Sequence, residues 1–154
     1  MSSYADFFRR SIDDRDGFWG EQSQLIDWHK PFDQVCDYSN PPFARWFAGG
    51  QTNLCHNAVD RHLVTRGEQN ALIFVSTETN IEKAYSFNEL HAEVQRMAAI
   101  LKDLGVKKGD RVLIYMPMIA EACFAMLACV RIGAIHSVVF GGFASHALAS
   151  RIED

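Results

Sequence analysis

The sequence has no long run of basic residues and no long uninterrupted apolar stretch. Its 154 residues carry a formal net charge of −4, and no run of Lys or Arg is longer than a pair such as Lys107–Lys108. A nucleic-acid-binding domain would carry clustered basic residues, so we expect no nucleic-acid partner. The most apolar region, residues 112–140, is broken by Pro117, Arg131 and Gly133. We therefore expect no membrane span.

Secretion signals and disulfide patterns are also missing. The first 16 residues mix acids and bases and contain no apolar core segment, so we expect no secretory signal there. The four cysteines, Cys36, Cys55, Cys123 and Cys129, form no C-x-x-C pair. We therefore predict a cytoplasmic protein with buried, reduced thiols.

Motifs that identify several enzyme classes do not occur. The sequence contains no Walker loop, no G-x-G-x-x-G, no H-E-x-x-H and no G-x-S-x-G. Its six histidines lack metal-ligand spacing, so we expect structural or surface histidines and no metal site. The adjacent Asp60 and Arg61 indicate a structural or solvated ion pair at a helix end.

Residues 1–50 predict a helical and aromatic-rich arm. Residues 1–25 place apolar side chains at helical spacing, which favours one or two helices. Residues 27–50 contain three of the four prolines and six bulky aromatic residues. We predict that this stretch is irregular, packs by its aromatic side chains and has no stable core of its own.

Residues 51–154 predict the start of an α/β domain. A helix is expected over 53–64, and a strand over 71–76 with a returning strand near Tyr85. Ser86–Glu89 reads as a capping box that starts another helix, which Gly105 ends.

The clearest unit is a strand, a helix and a second strand. Val112–Met116 is continuously apolar, which predicts a strand buried on both faces, and Ile135–Phe140 predicts a second buried strand. A helix over 119–132 joins them and is capped by Gly133. This order predicts a right-handed parallel βαβ unit, followed by a helix from Ala147 onward.

Gly141–Gly142 is the most suggestive chemical feature. The pair follows a predicted parallel strand directly, at the sheet edge where open α/β sheets bind ligands. Two glycines let a ligand approach the backbone closely. A tight turn without a ligand explains the same pattern, and the residues alone favour that interpretation.

Several segments together resemble a known family. They are Phe18–Trp19, Asp27–Trp28, residues 38–63, residues 85–143 and the closing Arg-Ile-Glu-Asp. They resemble the start of AMP-forming acetyl-CoA and propionyl-CoA synthetases over nearly the whole chain. Cys-His-Asn-Ala at 55–58 and Tyr-Ser-Asn-Pro-Pro at 38–42 look more like propionate–CoA ligases than acetate–CoA ligases.

This resemblance implies an α/β adenylate-forming fold, of which the chain holds the N-terminal arm and a partial parallel sheet. It implies a cytoplasmic ligase that joins a small carboxylate to CoA, using ATP and Mg²⁺, through an acyl-adenylate. Phe140, Gly141 and Gly142 would form a rim of the CoA site. The catalytic residues would follow Asp154, so we expect the chain alone to be inactive.

Two alternatives remain open at this point. The chain is the start of an acetate–CoA ligase, or it is a stand-alone, non-catalytic packing or oligomerisation domain. We also expect self-association, because a sheet that ends early exposes a strand edge and an apolar helix face.

Overall fold

A computed structural model of the protein describes residues 3–142 and 145–153. The chain divides into two compact units, with the boundary between Thr52 and Asn53. Among the described residues, none of the helices combines the length and the apolarity that a membrane crossing requires.

The first unit consists of two helices and a β-hairpin. Its elements are α1 (Tyr4–Asp13), α2 (Arg15–Gln22), a 3₁₀ turn (Ser23–Leu25), β1 (Gln34–Asn40) and β2 (Phe43–Ala48). Phe18 is only 1% exposed. Its ring meets the Phe7 and Trp19 rings edge-on, with centroid distances of 4.7 and 5.1 Å. The helical prediction for residues 1–25 is confirmed, and the chain forms two helices there.

The prediction of an irregular arm is wrong for residues 34–48, which form the antiparallel pair β1–β2. Pro41 and Pro42 lie between the two strands, where a missing N–H removes no ladder hydrogen bond. The prolines therefore mark a turn rather than an absence of strands. Cys36 is 3% exposed in β1, so the unit has a small core of its own.

The expected aromatic packing is present in this unit. The Trp28, Phe32 and Phe47 rings contact one another with centroid distances of 5.1 to 5.4 Å. Trp19 and Trp46 extend the aromatic contacts at 5.8 Å.

The second unit begins with short helices. In place of the one helix predicted over 53–64, the chain forms α3 (Leu54–Ala58), a 3₁₀ turn (Asp60–His62) and α4 (Leu63–Arg66). The break is at Val59, which has a non-helical φ of −128° and is 1% exposed. Burying the Val59 side chain stabilises the fold more than a continuous helix through this residue would.

The rest of the second unit follows the predicted order. Its elements are β3 (Asn70–Ser76), β4 (Ile81–Ser86), α5 (Phe87–Asp103), β5 (Arg111–Met116), α6 (Ala120–Ile132), β6 (Ile135–Phe140) and α7 (Ser145–Glu153). Strands β3 and β4 form an antiparallel hairpin. Helix α7 begins two residues earlier than predicted.

The predicted helix caps are confirmed. The Ser86 hydroxyl accepts from the Glu89 N–H at 3.2 Å, and the Glu89 carboxylate accepts from the Ser86 N–H at 2.8 Å. Gly105 and Gly133 follow α5 and α6 with φ of +91° and +76°, the left-handed conformation that glycine adopts at low cost.

The parallel βαβ unit is confirmed, since β5 and β6 pair in parallel with Ile114 beside Val138. The α6 side of this sheet contacts the core, where Ile114 packs with Ala125 and Cys129. Burial on both faces was predicted for β5 and is wrong at Tyr115, which is 44% exposed, and the predicted burial of β6 is wrong at Ile135 and Val138, which are 57% and 49% exposed. The reason is that β6 pairs with β5 and with no further strand of residues 3–142 and 145–153.

Candidate functional site

The glycine turn lies at the carboxyl end of β6, as the sequence predicted. A Cβ built on Gly141 would lie 3.1 Å from the Pro117 nitrogen and 3.2 Å from the Met116 carbonyl carbon. The Gly141 backbone thus packs directly on the Met116–Pro117 backbone at the end of β5. A Cβ on Gly142 would meet the Phe140 ring at 3.0 Å instead. A side chain at position 141 would therefore press on backbone, whereas one at position 142 would press on a single side chain.

Tyr115 ties this turn to β5. Its hydroxyl donates to the Gly141 carbonyl oxygen at 2.9 Å. No sequence pattern predicted this contact, because nothing local links residues that are 26 positions apart. The hydrogen bond gives the turn a fixed position at the strand ends.

A groove of about 840 Å³ opens beside the turn, and we call it the carboxyl-edge groove. It is lined by the end of β3, the β3–β4 turn, β4, the β5–α6 connection with the start of α6, and Phe140. Phe140 is 58% and Met118 82% exposed, so apolar side chains dominate this end. The wall also carries Glu78, Lys83 and Glu121. The arrangement suits a ligand that presents both a flat apolar part and polar groups.

A second polar arrangement, the Asp60 cluster, lies away from the turn and consists of Cys55, Asp60, His91 and Arg131. Arg131 makes two hydrogen bonds to the Asp60 carboxylate, at 2.5 and 3.0 Å. It also donates to the Cys55 sulfur at 3.2 Å. His91 Nε2 lies 3.1 Å from the Asp60 carboxylate. The Asp60 and Arg131 side chains are only 20% and 23% exposed.

The Asp60–Arg61 ion pair that the sequence suggested is wrong. Asp60 pairs with Arg131, 71 positions away, while Arg61 donates to the Asn57 side chain at 2.9 Å. Arg61 lies on the exposed side of the 3₁₀ turn, and Arg131 approaches from the last turn of α6. Sequence adjacency could not reveal this tertiary contact.

Burial and charge set the protonation of this cluster. Burial by itself would raise the pKa of Asp60, but the Arg131 hydrogen bonds and charge, with a contribution from His91, hold the pKa below its ordinary value. Burial raises the pKa of the Cys55 thiol, although Arg131 opposes the shift. Burial also raises the pKa of Cys129. Both thiols therefore stay protonated and weakly nucleophilic at neutral pH.

The lowered pKa of Asp60 predicts a pH dependence of stability. A carboxylate with a depressed folded-state pKa contributes stability above its unfolded pKa and loses it as the pH falls through the folded value. Between about pH 5 and about pH 2, the free energy of unfolding should therefore fall more steeply in the wild type than in Asp60→Asn. Urea unfolding followed by circular dichroism measures this difference, and parallel curves for the two proteins would contradict it.

Within residues 3–142 and 145–153, no group of three or more His, Cys, Asp or Glu side chains is placed to hold a metal ion. The cysteines form no disulfide. Cys36, Cys55 and Cys129 are buried as predicted, whereas Cys123 is only partly buried.

Two family models match successive parts of the chain. The family model described as "Acetyl-coenzyme A synthetase N-terminus" matches residues 4–58, and "AMP-binding enzyme" matches residues 59–154. Propionate–CoA ligase from Escherichia coli K12 is 60% identical over 152 residues, and acetyl-coenzyme A synthetase 2 from Pseudomonas putida KT2440 is 54% identical over 153. These alignments cover 99% and 98% of the chain and 24% of each relative.

A solved structure gives the same result. Acetoacetyl-CoA synthetase from Streptomyces lividans matches 99% of the chain and 24% of its own length, with a TM-score of 0.90 and 31% identity. The chain thus spans about a quarter of the length of the relatives that it matches.

Proposed function

Because the chain belongs to the family of AMP-forming acyl-CoA ligases, we propose that it is the N-terminal part of a propionate–CoA ligase. The observation that supports this choice is the 60% identity to propionate–CoA ligase over 152 residues. The proposed reaction has two steps. The propionate carboxylate attacks the α-phosphate of ATP to give an acyl-adenylate and pyrophosphate, and the CoA thiol then displaces AMP.

We propose that the described residues supply one rim of the CoA site. Phe140, Gly141 and Gly142 are exposed at the carboxyl end of β6, and Phe140 lines the carboxyl-edge groove. The groove combines exposed apolar side chains with Lys83, so it suits the mixed polar and apolar surface of a CoA nucleotide. ATP would enter as its Mg²⁺ complex, and the described residues contain no group of three or more His, Cys, Asp or Glu side chains placed to hold a metal ion.

We propose further that the chain alone catalyses neither step. The identified relatives are about four times longer than the region they share with this chain. Residues beyond the chain would supply the chemistry, which acts by positioning and charge stabilisation.

The test compares the 154-residue chain with the same polypeptide extended by the codons that follow in its gene. We expect AMP formation that depends on both propionate and CoA in the extended protein and none in the chain alone. Acetate is the competing substrate, because an acetyl-coenzyme A synthetase is 54% identical to the chain. A higher kcat/KM for acetate would overturn the propionate assignment, and a stop codon directly after Asp154 would overturn the proposal as a whole.

Alanine substitutions at Gly141 and Gly142 test the proposed CoA rim. Gly141→Ala places a Cβ against the backbone of Met116 and Pro117, so we expect a loss of about 1–3 kcal/mol of stability. Gly142→Ala displaces only the Phe140 ring and should leave the stability within about 0.5 kcal/mol.

In the extended enzyme, Gly142→Ala should raise the KM for CoA about threefold or more and leave propionate-dependent ATP–pyrophosphate exchange unchanged, because only the second step uses CoA. Thermal unfolding and steady-state kinetics measure both effects. An unchanged KM for CoA in Gly142→Ala would contradict the placement of this rim.

A further inference from the structure

The Tyr115 hydroxyl joins β5 to the glycine turn that follows β6. It donates to the Gly141 carbonyl oxygen at 2.9 Å. In the parallel register, Tyr115 lies beside Val139, so the side chain reaches past its partner residue to the turn. The hydrogen bond therefore links the ends of both parallel strands at the carboxyl edge of the sheet.

The same turn is held at a second point by its backbone. A Cβ built on Gly141 would lie 3.1 Å from the Pro117 nitrogen and 3.2 Å from the Met116 carbonyl carbon. These two residues follow Tyr115 directly in sequence. Packing limits how closely the two segments approach, whereas the hydrogen bond also fixes the direction of the Gly141 carbonyl.

The hydrogen bond orients one peptide unit of the turn. The Gly141 carbonyl and the Gly142 N–H belong to the same planar trans peptide, in which they point in opposite directions. Glycine loses more conformational freedom on ordering than any other residue. A donor that already holds the Gly141 oxygen restricts this peptide before a ligand arrives, and such preorganisation strengthens binding.

We propose that Tyr115 is a positioning residue for the CoA-dependent step, because its hydroxyl holds the Gly141–Gly142 peptide in the orientation in which CoA meets it. The role rests on the proposed function, since it requires CoA to use this rim. Tyr115 acts through Gly141 and need not touch CoA itself. Because adenylation does not use CoA, loss of the hydroxyl should affect the second step and leave the first step unchanged.

The test uses the extended polypeptide and the variant Tyr115→Phe, which keeps the aromatic ring and removes only the donor. The KM for CoA should rise about three- to tenfold, the effect of losing one neutral hydrogen bond. Propionate-dependent ATP–pyrophosphate exchange should stay within about twofold of the wild type. A general loss of folding would lower the exchange as well, so the split between the two readouts identifies positioning.

Tyr38→Phe is the matched control. It is the same substitution at a residue that is 45% exposed, against 44% for Tyr115, and it lies in β1 of the first unit. It should leave the KM for CoA within about twofold of the wild type.

The Gly142 amide resonance gives a readout that needs no CoA. In the nuclear magnetic resonance spectrum of the 154-residue chain, this resonance should shift in Tyr115→Phe and keep its position in Tyr38→Phe. An unchanged Gly142 resonance would show that the hydroxyl does not hold the peptide.

Two kinetic results would also contradict the positioning role while the proposed activity stands. They are an unchanged KM for CoA in Tyr115→Phe, and an equal loss of pyrophosphate exchange and of the CoA-dependent step. A wild-type extended protein that forms no CoA-dependent AMP would instead overturn the proposed function, and the role of Tyr115 in that step with it. The wild-type assay therefore distinguishes the two failures before any variant is made.

Discussion

Replacing Asp60 by alanine is expected to lower the free energy of unfolding of residues 53–154 by about 2–3 kcal/mol. The substitution leaves the Arg131 guanidinium without the carboxylate that accepts two of its hydrogen bonds. Removal of one partner of a fully buried ion pair costs about 3–5 kcal/mol. The lower value applies here because about a fifth of each side chain is exposed.

Arg61→Ala is the matched control for this prediction. Arg61 neighbours Asp60 in sequence but hydrogen-bonds Asn57 at the surface. Its removal should cost less than about 0.5 kcal/mol, as is usual for surface substitutions. Urea unfolding followed by circular dichroism measures both variants. Equal losses for Asp60→Ala and Arg61→Ala would show that the Asp60 cluster does not stabilise the fold.

A double-mutant cycle separates the ion pair from the side effects of each substitution. Asp60→Ala and Arg131→Met should together destabilise less than the sum of the single variants, because the double variant leaves no charge unpaired. Additive losses would mean that Asp60 and Arg131 stabilise the protein through other neighbours.

The local parts of the fold were predictable because local interactions determine them. A serine three positions before a glutamate is a local signature of a helix start, and it marks one at Ser86–Glu89. Gly133 ends α6 because a left-handed residue there costs glycine little. The parallel β5–β6 pair followed from two apolar strands joined by one helix.

The errors occur where tertiary contacts outweigh local preference. Prolines predicted an irregular segment at residues 34–48, but both adjacent prolines lie between paired strands. Val59 interrupts the expected helix because the core buries its side chain. The sequence pattern paired Asp60 with its neighbour Arg61. In the fold, Asp60 pairs with Arg131 of α6, which is 71 positions away. No local pattern contains this information.

The same limit applies to the candidate site. The sequence located the Gly141–Gly142 turn, because a glycine pair after a parallel strand is a local signal. It did not show that Gly141 packs on the Met116–Pro117 backbone or that the Tyr115 hydroxyl holds its carbonyl. The walls of the carboxyl-edge groove come from β3, β4 and α6, so only the fold assembles them.

Phe18→Ala is expected to destabilise the first unit by about 4 kcal/mol, the usual cost of deleting a buried phenylalanine ring. Phe18 is 1% exposed and is in contact with the Phe7 and Trp19 rings. A unit of about 50 residues has little stability to lose. We therefore expect residues 1–52 to be largely unfolded in this variant at room temperature.

Tryptophan fluorescence reports the unfolding of the first unit selectively, because all three tryptophans lie in residues 1–52. They are Trp19, Trp28 and Trp46. Their emission should shift to the red in Phe18→Ala, as the rings become exposed to water. Phe43→Ala is the control, since Phe43 is 73% exposed in β2 and its removal should cost less than about 1 kcal/mol.

The same variant tests whether the two units are separate domains. The boundary between the units lies near residue 52, and the sequence predicted a domain boundary at residue 50. Far-ultraviolet circular dichroism is dominated by the long helices α5 and α6 of the second unit. If the units are separate domains, Phe18→Ala should change the fluorescence transition while most of the dichroism signal keeps its wild-type midpoint. A common shift of both signals would contradict the domain boundary, because it would mean that residues 1–52 and 53–154 unfold as one cooperative structure.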